Sequence, residues 1–177
     1  MDRAAAFPGQ WIVQEIYCLS RARDVDRNQK AIEMTPIPPV LWQYIQGLRA
    51  HDLAMIAATI ANEAEIVLPT RKLTKSGFLA FLSALYAAFP DWNYRHDAPE
   101  SRGPDQFAVK WYQSGTHTAA LDLPELARVA ATGKLIRIPE QFFFYRVVAD
   151  QLIEIRPDAI PGGAPWGILE QLGVAHQ

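Results

Sequence analysis

The spacing of apolar residues changes at Pro90, and that change constrains the fold more than any other feature of the chain. Before it the spacing is helical. Leu41, Tyr44, Ile45 and Leu48 follow the i, i+3, i+4, i+7 rule, and Leu53, Ile56, Ala57 and Ile60 make a second stripe that Asp52 is placed to cap. Phe78, Leu79, Leu82, Leu85, Tyr86 and Phe89 make a third, opened by Thr74. A short strand is predicted between the second and third helices, over 65–68. After Pro90 the period is two, in runs at 92–98, 106–114, 135–148 and 152–156, which read as strands. Segment 99–105 is rich in turn formers and a tight turn falls at Asp150, so neighbouring runs pair antiparallel. Helices first and an antiparallel sheet second predict an α+β domain. A loop of Pro and Gly at 160–166 precedes a last short helix at 167–172.

Half of the 177 residues are apolar, enough for one core without disulfides or a structural metal. A net charge of −2, with Lys and Arg scattered, provides no basic field, so nucleic acid is not an expected partner. The single cysteine, Cys18, gives no disulfide framework and no CxxC pair, which fits a cytoplasmic setting. The apolar run 11–19 is interrupted by Gln14 and Glu15 and is too short and polar for a membrane span or signal segment, so no membrane association is expected. Its Ile12, Ile16 and Leu19 fit an amphipathic arm; a loosely ordered leader fits equally. Charged residues in 20–30, then Pro36, Pro38 and Pro39, separate an extension, 1–37, from the main domain, 38–177. No His, Asp or Glu pattern predicts a metal site, and Gly162-Gly163 lies between prolines rather than in a phosphate loop, so no cofactor is expected.

Four segments occur in a telling order: Ala88-Phe89-Pro90-Asp91, Gly115-Thr116-His117-Thr118, Thr132-Gly133-Lys134 and Gln171-Leu172-Gly173-Val174. With them the chain resembles the SnoaL-like polyketide cyclases over roughly 41–174. The resemblance implies the nuclear transport factor 2-like (cystatin-like) cone, in which N-terminal helices pack against a strongly curved antiparallel sheet that encloses a pocket. It also implies cofactor-free ring closure by intramolecular aldol condensation, which needs a base beside a carbonyl and a donor for the enolate oxygen. His117 matches the family's histidine. The family's acid/base aspartate does not match: aligning Arg146 with the basic residue that ends that strand places Phe143 there, or Phe142 if the register slips by one. A phenyl ring moves no proton, so cyclase chemistry is in doubt unless Glu140 reaches inward. Ala130-Ala131 replaces the usual Pro-Pro, and 160–166 reads as an insertion at the pocket rim.

His117 is therefore the candidate catalytic residue, with a purely structural histidine as the competing reading. His51 and His176 read as solvated. Trp92, Tyr94, Trp111, Phe143 and Tyr145 form the candidate wall of a ligand site, with Gln141 to orient the ligand; core packing is the alternative for each. His96 shares the parity of Trp92 and Tyr94. Phe142 and Phe144 fall on the opposite face, where a second subunit is expected to cover them in a homodimer, or else the N-terminal arm. The sequence thus points to a protein that binds a small apolar molecule. The rivals are an active cyclase, isomerase or hydrolase with His117 as general base, and a purely structural role.

Overall fold

The computed structural model describes residues 36–68, 71–123 and 128–174, all within one of the chain's two compact units, 35–177. The expected N-terminal arm falls almost wholly outside them. Helix α1 (Pro39–Ala50) starts on Pro38 and Pro39, where a missing N–H costs nothing, and ends at His51 in the left-handed region. Its stripe, Leu41, Tyr44, Ile45 and Leu48, is buried as the spacing predicts. Helix α2 (Leu53–Thr59) is capped by Asp52, whose carboxylate accepts from Met55 N at 2.9 Å. Ile60 opens strand β1 (Ile60–Val67), which is longer than the predicted four residues. After β2 (Lys72–Leu73), Thr74 caps α3 (Lys75–Ala88), which buries Phe78, Leu82 and Leu85.

Strands β3 (Asn93–His96), β4 (Glu100–Ser101), β5 (Gln106–Thr116), β6 (Leu135–Arg137), β7 (Gln141–Val148) and β8 (Gln151–Pro157) follow, then α4 (Trp166–Leu172). The predicted run at 135–148 is two strands, broken at Pro139, where a ladder N–H is missing. Strand order is β2-β1-β8-β7-β5-β3, with β4 and β6 also paired to β5, in one strongly curled half-barrel. All pairings are antiparallel except β1 with β8, which run parallel because the whole β2-to-β7 crossover lies between them. Ala149 and Asp150 both have positive φ, the requirement of a two-residue hairpin turn between β7 and β8. Register sets the inner face: Phe107, Val109 and Trp111 oppose Tyr145, Phe143 and Gln141. The core lies between that face and helices α1 and α3.

Candidate functional site

The four segments that carry the resemblance converge and are stitched together. Asp91 accepts from Thr116 N at 2.7 Å and Thr116 Oγ1 at 2.8 Å, and these bonds hold its carboxyl below the usual carboxylate range. Gly115 lies against Trp92, where a Cβ would come within 2.6 Å of Trp92 Cε3 and 3.1 Å of its Cα. The His117 backbone pairs with Gly133 and Lys134, both at 2.9 Å. Its Nδ1 accepts from Thr132 N at 3.3 Å and contacts Thr132 Oγ1 at 3.1 Å. Lys134 Nζ donates to Gln171 O, and the Gln171 amide bonds the Arg137 N–H and carbonyl, tying α4 to β6. The motifs are a clamp that closes this end of the sheet.

The cavity lies elsewhere, between α1, α3, α4 and the concave face. Tyr44 and Leu48 come from α1, Phe78, Phe81, Leu82 and Leu85 from α3, and Tyr94, Trp111, Gln113, Phe143 and Tyr145 from the sheet. Leu68, Leu73, Pro157, Ala164, Pro165 and Ile168 complete a predominantly apolar wall around a volume of about 50 Å³. Trp111 Nε1 donates to Tyr145 Oη at 2.9 Å, and Tyr86 donates to Tyr94 at 3.3 Å. Burial pushes the phenols of Tyr44, Tyr94 and Tyr145 well up, so all stay neutral. A wider cleft of about 460 Å³ shares Tyr94, but its Arg49, Asp91 and Asn93 are exposed and it stands open to water.

Of the residues predicted from sequence, Tyr94, Trp111, Phe143 and Tyr145 meet in the cavity wall. The register question is resolved: Phe143 opposes Val109 on the inner face, and Phe142 opposes Lys110 on the outer. Three residues are corrected in place. Trp92 is buried beneath Gly115 and against Phe89, with ring centroids 5.2 Å apart, and does not line the cavity. Gln141 is spent on the 158–164 loop: Nε2 donates to Asp158 O at 2.6 Å and Ala164 O at 3.4 Å, while Oε1 accepts from Ala164 N at 2.8 Å. His117 is 0 % exposed, stacks on Phe89 at 4.9 Å and is likewise absent from the cavity wall.

With Thr132 N–H donating to Nδ1, the neutral His117 ring carries its proton on Nε2, which is sealed in without a partner. Burial pulls its pKa down from 6.5. His51 is not simply solvated, for its Nε2 donates to Trp92 O at 2.7 Å and its ring stacks on Tyr86 at 4.0 Å. His96 sits beside Trp42 and Trp111, with Nδ1 2.7 Å from Asp97 O. Glu140 is exposed and 3.6 Å from Lys110 on the outer side, so it does not supply the missing carboxylate. On that outer face Phe142 and Phe144 stack at 6.3 Å beneath Lys110 and Arg156.

Two polar cavity residues, Gln113 and Tyr44, escaped the sequence reading as ligand contacts. Gln113 shares the parity of Trp111 on β5 and opposes Tyr94, a signal available in the alternation alone. Tyr44 was legible as a helix-stripe residue, but a stripe does not separate core from cavity wall. Among the described residues, no group of three or more His, Cys, Asp or Glu is placed to hold a metal, and no helix is long and apolar enough to cross a membrane.

A curled sheet closed by helices over one uncharged cavity defines an α+β cone of the kind that the four segments imply. Residues 42–155 match the SnoaL-like domain model, and the chain belongs to that family. No curated protein matches it by sequence. Among solved structures, the fold is similar to AclR, a candidate hydroxylase from Streptomyces galilaeus, at 17% identity and TM-score 0.60, covering 78% of this chain and 81% of AclR. It is similar to IdmH, a candidate polyketide cyclase from Streptomyces antibioticus, at 21% identity and TM-score 0.56, covering 76% and 96%. A candidate SnoaL-like polyketide cyclase from Jannaschia sp. CCS1 matches at 13% identity and TM-score 0.59, covering 82% and 99%. These likenesses establish the fold; neighbours named for different chemistries do not transfer a reaction.

Proposed function

We propose that this protein binds a small, uncharged, largely apolar molecule in its cavity and does not perform the proton transfer of a polyketide cyclase. One observation carries the reading: among the described residues, none that lines the cavity is an Asp, Glu, His, Lys, Arg or Cys. Aldol ring closure begins by removing a proton beside a carbonyl, and among the described residues the titratable groups of the wall are neutral tyrosines whose pKa values burial raises. A charged ligand would lose its hydration without gaining an opposite charge.

The volume of about 50 Å³ is below the ~150 Å³ that accepts benzene, so a ring enters as the half-buried Leu73, Phe81 and Phe143 give way. Titration with indane, followed by backbone amide NMR, is expected to shift the lining residues. Leu85→Trp fills the cavity and should remove those shifts while leaving the spectrum dispersed. No shifts in the wild type, or the same shifts in the filled variant, refutes the reading. The rival is an enzyme with His117 as general base, motivated by the retained Gly115-Thr116-His117 segment, and it requires the tautomer in which Nε2 gives up its proton.

A further inference from the structure

We infer that His117 is an acid-sensitive latch: its protonation releases the clamp and, through helix α4, opens the cavity. The ring is 0 % exposed and stacks on Phe89 at 4.9 Å. Its Nδ1 is an acceptor, because the Thr132 N–H that meets it at 3.3 Å can only donate. Its Nε2–H has no acceptor among the described residues, and neither has the buried Trp92 Nε1 on the other side of Phe89's ring contacts. Such a site fits a neutral ring only. Once protonated, Nδ1–H faces Thr132 N–H, a donor against a donor, and a full charge lies sealed beside a phenyl ring. Among the described residues no opposite charge faces it. On the Phe89 side Asp91 is spent on Thr116 N and Oγ1; on the 132–134 side Lys134 meets His117 through its backbone and turns Nζ to Gln171 O. Burial alone pulls the pKa down.

The 132–134 turn carries the change outward. His117 N donates to Lys134 O and Gly133 N donates to His117 O, both at 2.9 Å, so the turn leaves the ring as a unit. The same turn holds α4 through Lys134 Nζ, 3.3 Å from Gln171 O, and α4 with its approach supplies Ala164, Pro165 and Ile168 to the cavity wall. Opening gives His117 water and its ordinary pKa of about 6.5. The open state therefore takes up a proton at higher pH than the closed state. Opening grows as pH falls through about 6.5, by up to about tenfold per unit, until the closed pKa is reached.

The test is amide hydrogen exchange of the full chain by NMR at pH 7.5 and 5.5, corrected for the intrinsic pH dependence of exchange. It needs no ligand, so it stands apart from the binding reading. The reporters are the bonded N–H groups of His117 and Gly133 in the clamp and of Gly167 and Ile168 in α4, with Val109 and Phe144 in the central strands as the reference for global unfolding. Clamp and α4 should exchange through an opening more frequent than global unfolding. Their protection should fall together on acidification, by up to about tenfold. His117→Gln keeps an acceptor for Thr132 N–H and carries no charge, and its clamp protection should change less than about twofold. The wild-type pattern decides by itself if that variant does not fold. Clamp amides that exchange only with Val109 and Phe144, a clamp that loses protection while α4 keeps it, or an acid response that persists in His117→Gln each overturns the inference.

Discussion

Gln141 holds the cavity wall together, and its replacement by leucine gives a quantity that can be worked out beforehand. Its amide makes two short bonds to the 158–164 loop, at 2.6 Å to Asp158 O and 2.8 Å from Ala164 N, and a longer one at 3.4 Å. Gly163 lies so close that an added Cβ would sit 2.8 Å from Gln141 Nε2, so the loop is fitted to this side chain. Gln141→Leu keeps the volume and deletes the bonds. Two net hydrogen bonds are worth about 2 kcal/mol, and a buried Ala164 N–H left unmatched adds about 1 to 2 kcal/mol. The expected loss is about 3 kcal/mol in urea unfolding, or about 6 to 12 °C in Tm for a chain of this size. Because Pro157, Ala164 and Pro165 line the cavity, indane should also dissociate faster. A loss below about 1 kcal/mol would show that the loop stands without Gln141 and would refute the assignment of this residue to the wall rather than to the ligand.

The buried His117 makes stability depend on pH. Its folded pKa lies below 6.5, so above that value both states are neutral and the full contribution is present; on acidification the unfolded chain takes up the proton first, and stability falls until the folded pKa is reached. Urea midpoints measured from pH 7.5 down to 5 should therefore fall more steeply for the wild type than for His117→Gln, and parallel curves would refute it. The outer face pairs Phe142 and Phe144 with Lys110–Glu140 and Arg156–Glu154, a surface of both signs suited to a second copy of the chain. Phe144→Asp should convert a dimer mass to a monomer mass in light scattering, and an unchanged mass refutes that interface.

Helices and strands were legible because their periods are local. Asp52 and Thr74 cap the helices they precede, and Asp150 turns β7 into β8. The parallel pairing of β1 with β8 was not legible, because it joins strands far apart in sequence and no local pattern marks it. The site was legible by parity and no further: Tyr94, Trp111, Phe143 and Tyr145 fall on the concave face, but parity does not say how far along the strand the cavity extends. Trp92 and His117 lie past its edge, inside the clamp that Gly115 and Thr132 close. Gln141 has the right parity, yet the loop at 158–164 consumes its amide. Gln113 was overlooked because a glutamine in a strand usually finds a partner, and only the three-dimensional neighbourhood shows that its side chain has none among the described residues.

The measurement that bears most directly on the account is hydrogen–deuterium exchange at C2 of indan-1-one in D2O, followed by NMR with the protein in excess of the ketone. A cavity without a base should bind the ketone and leave the exchange rate at its value in buffer. Accelerated exchange that disappears in the cavity-filling Leu85→Trp would mean that a base reaches the bound ketone. That result would contradict the binding reading and return His117 to the role of catalyst.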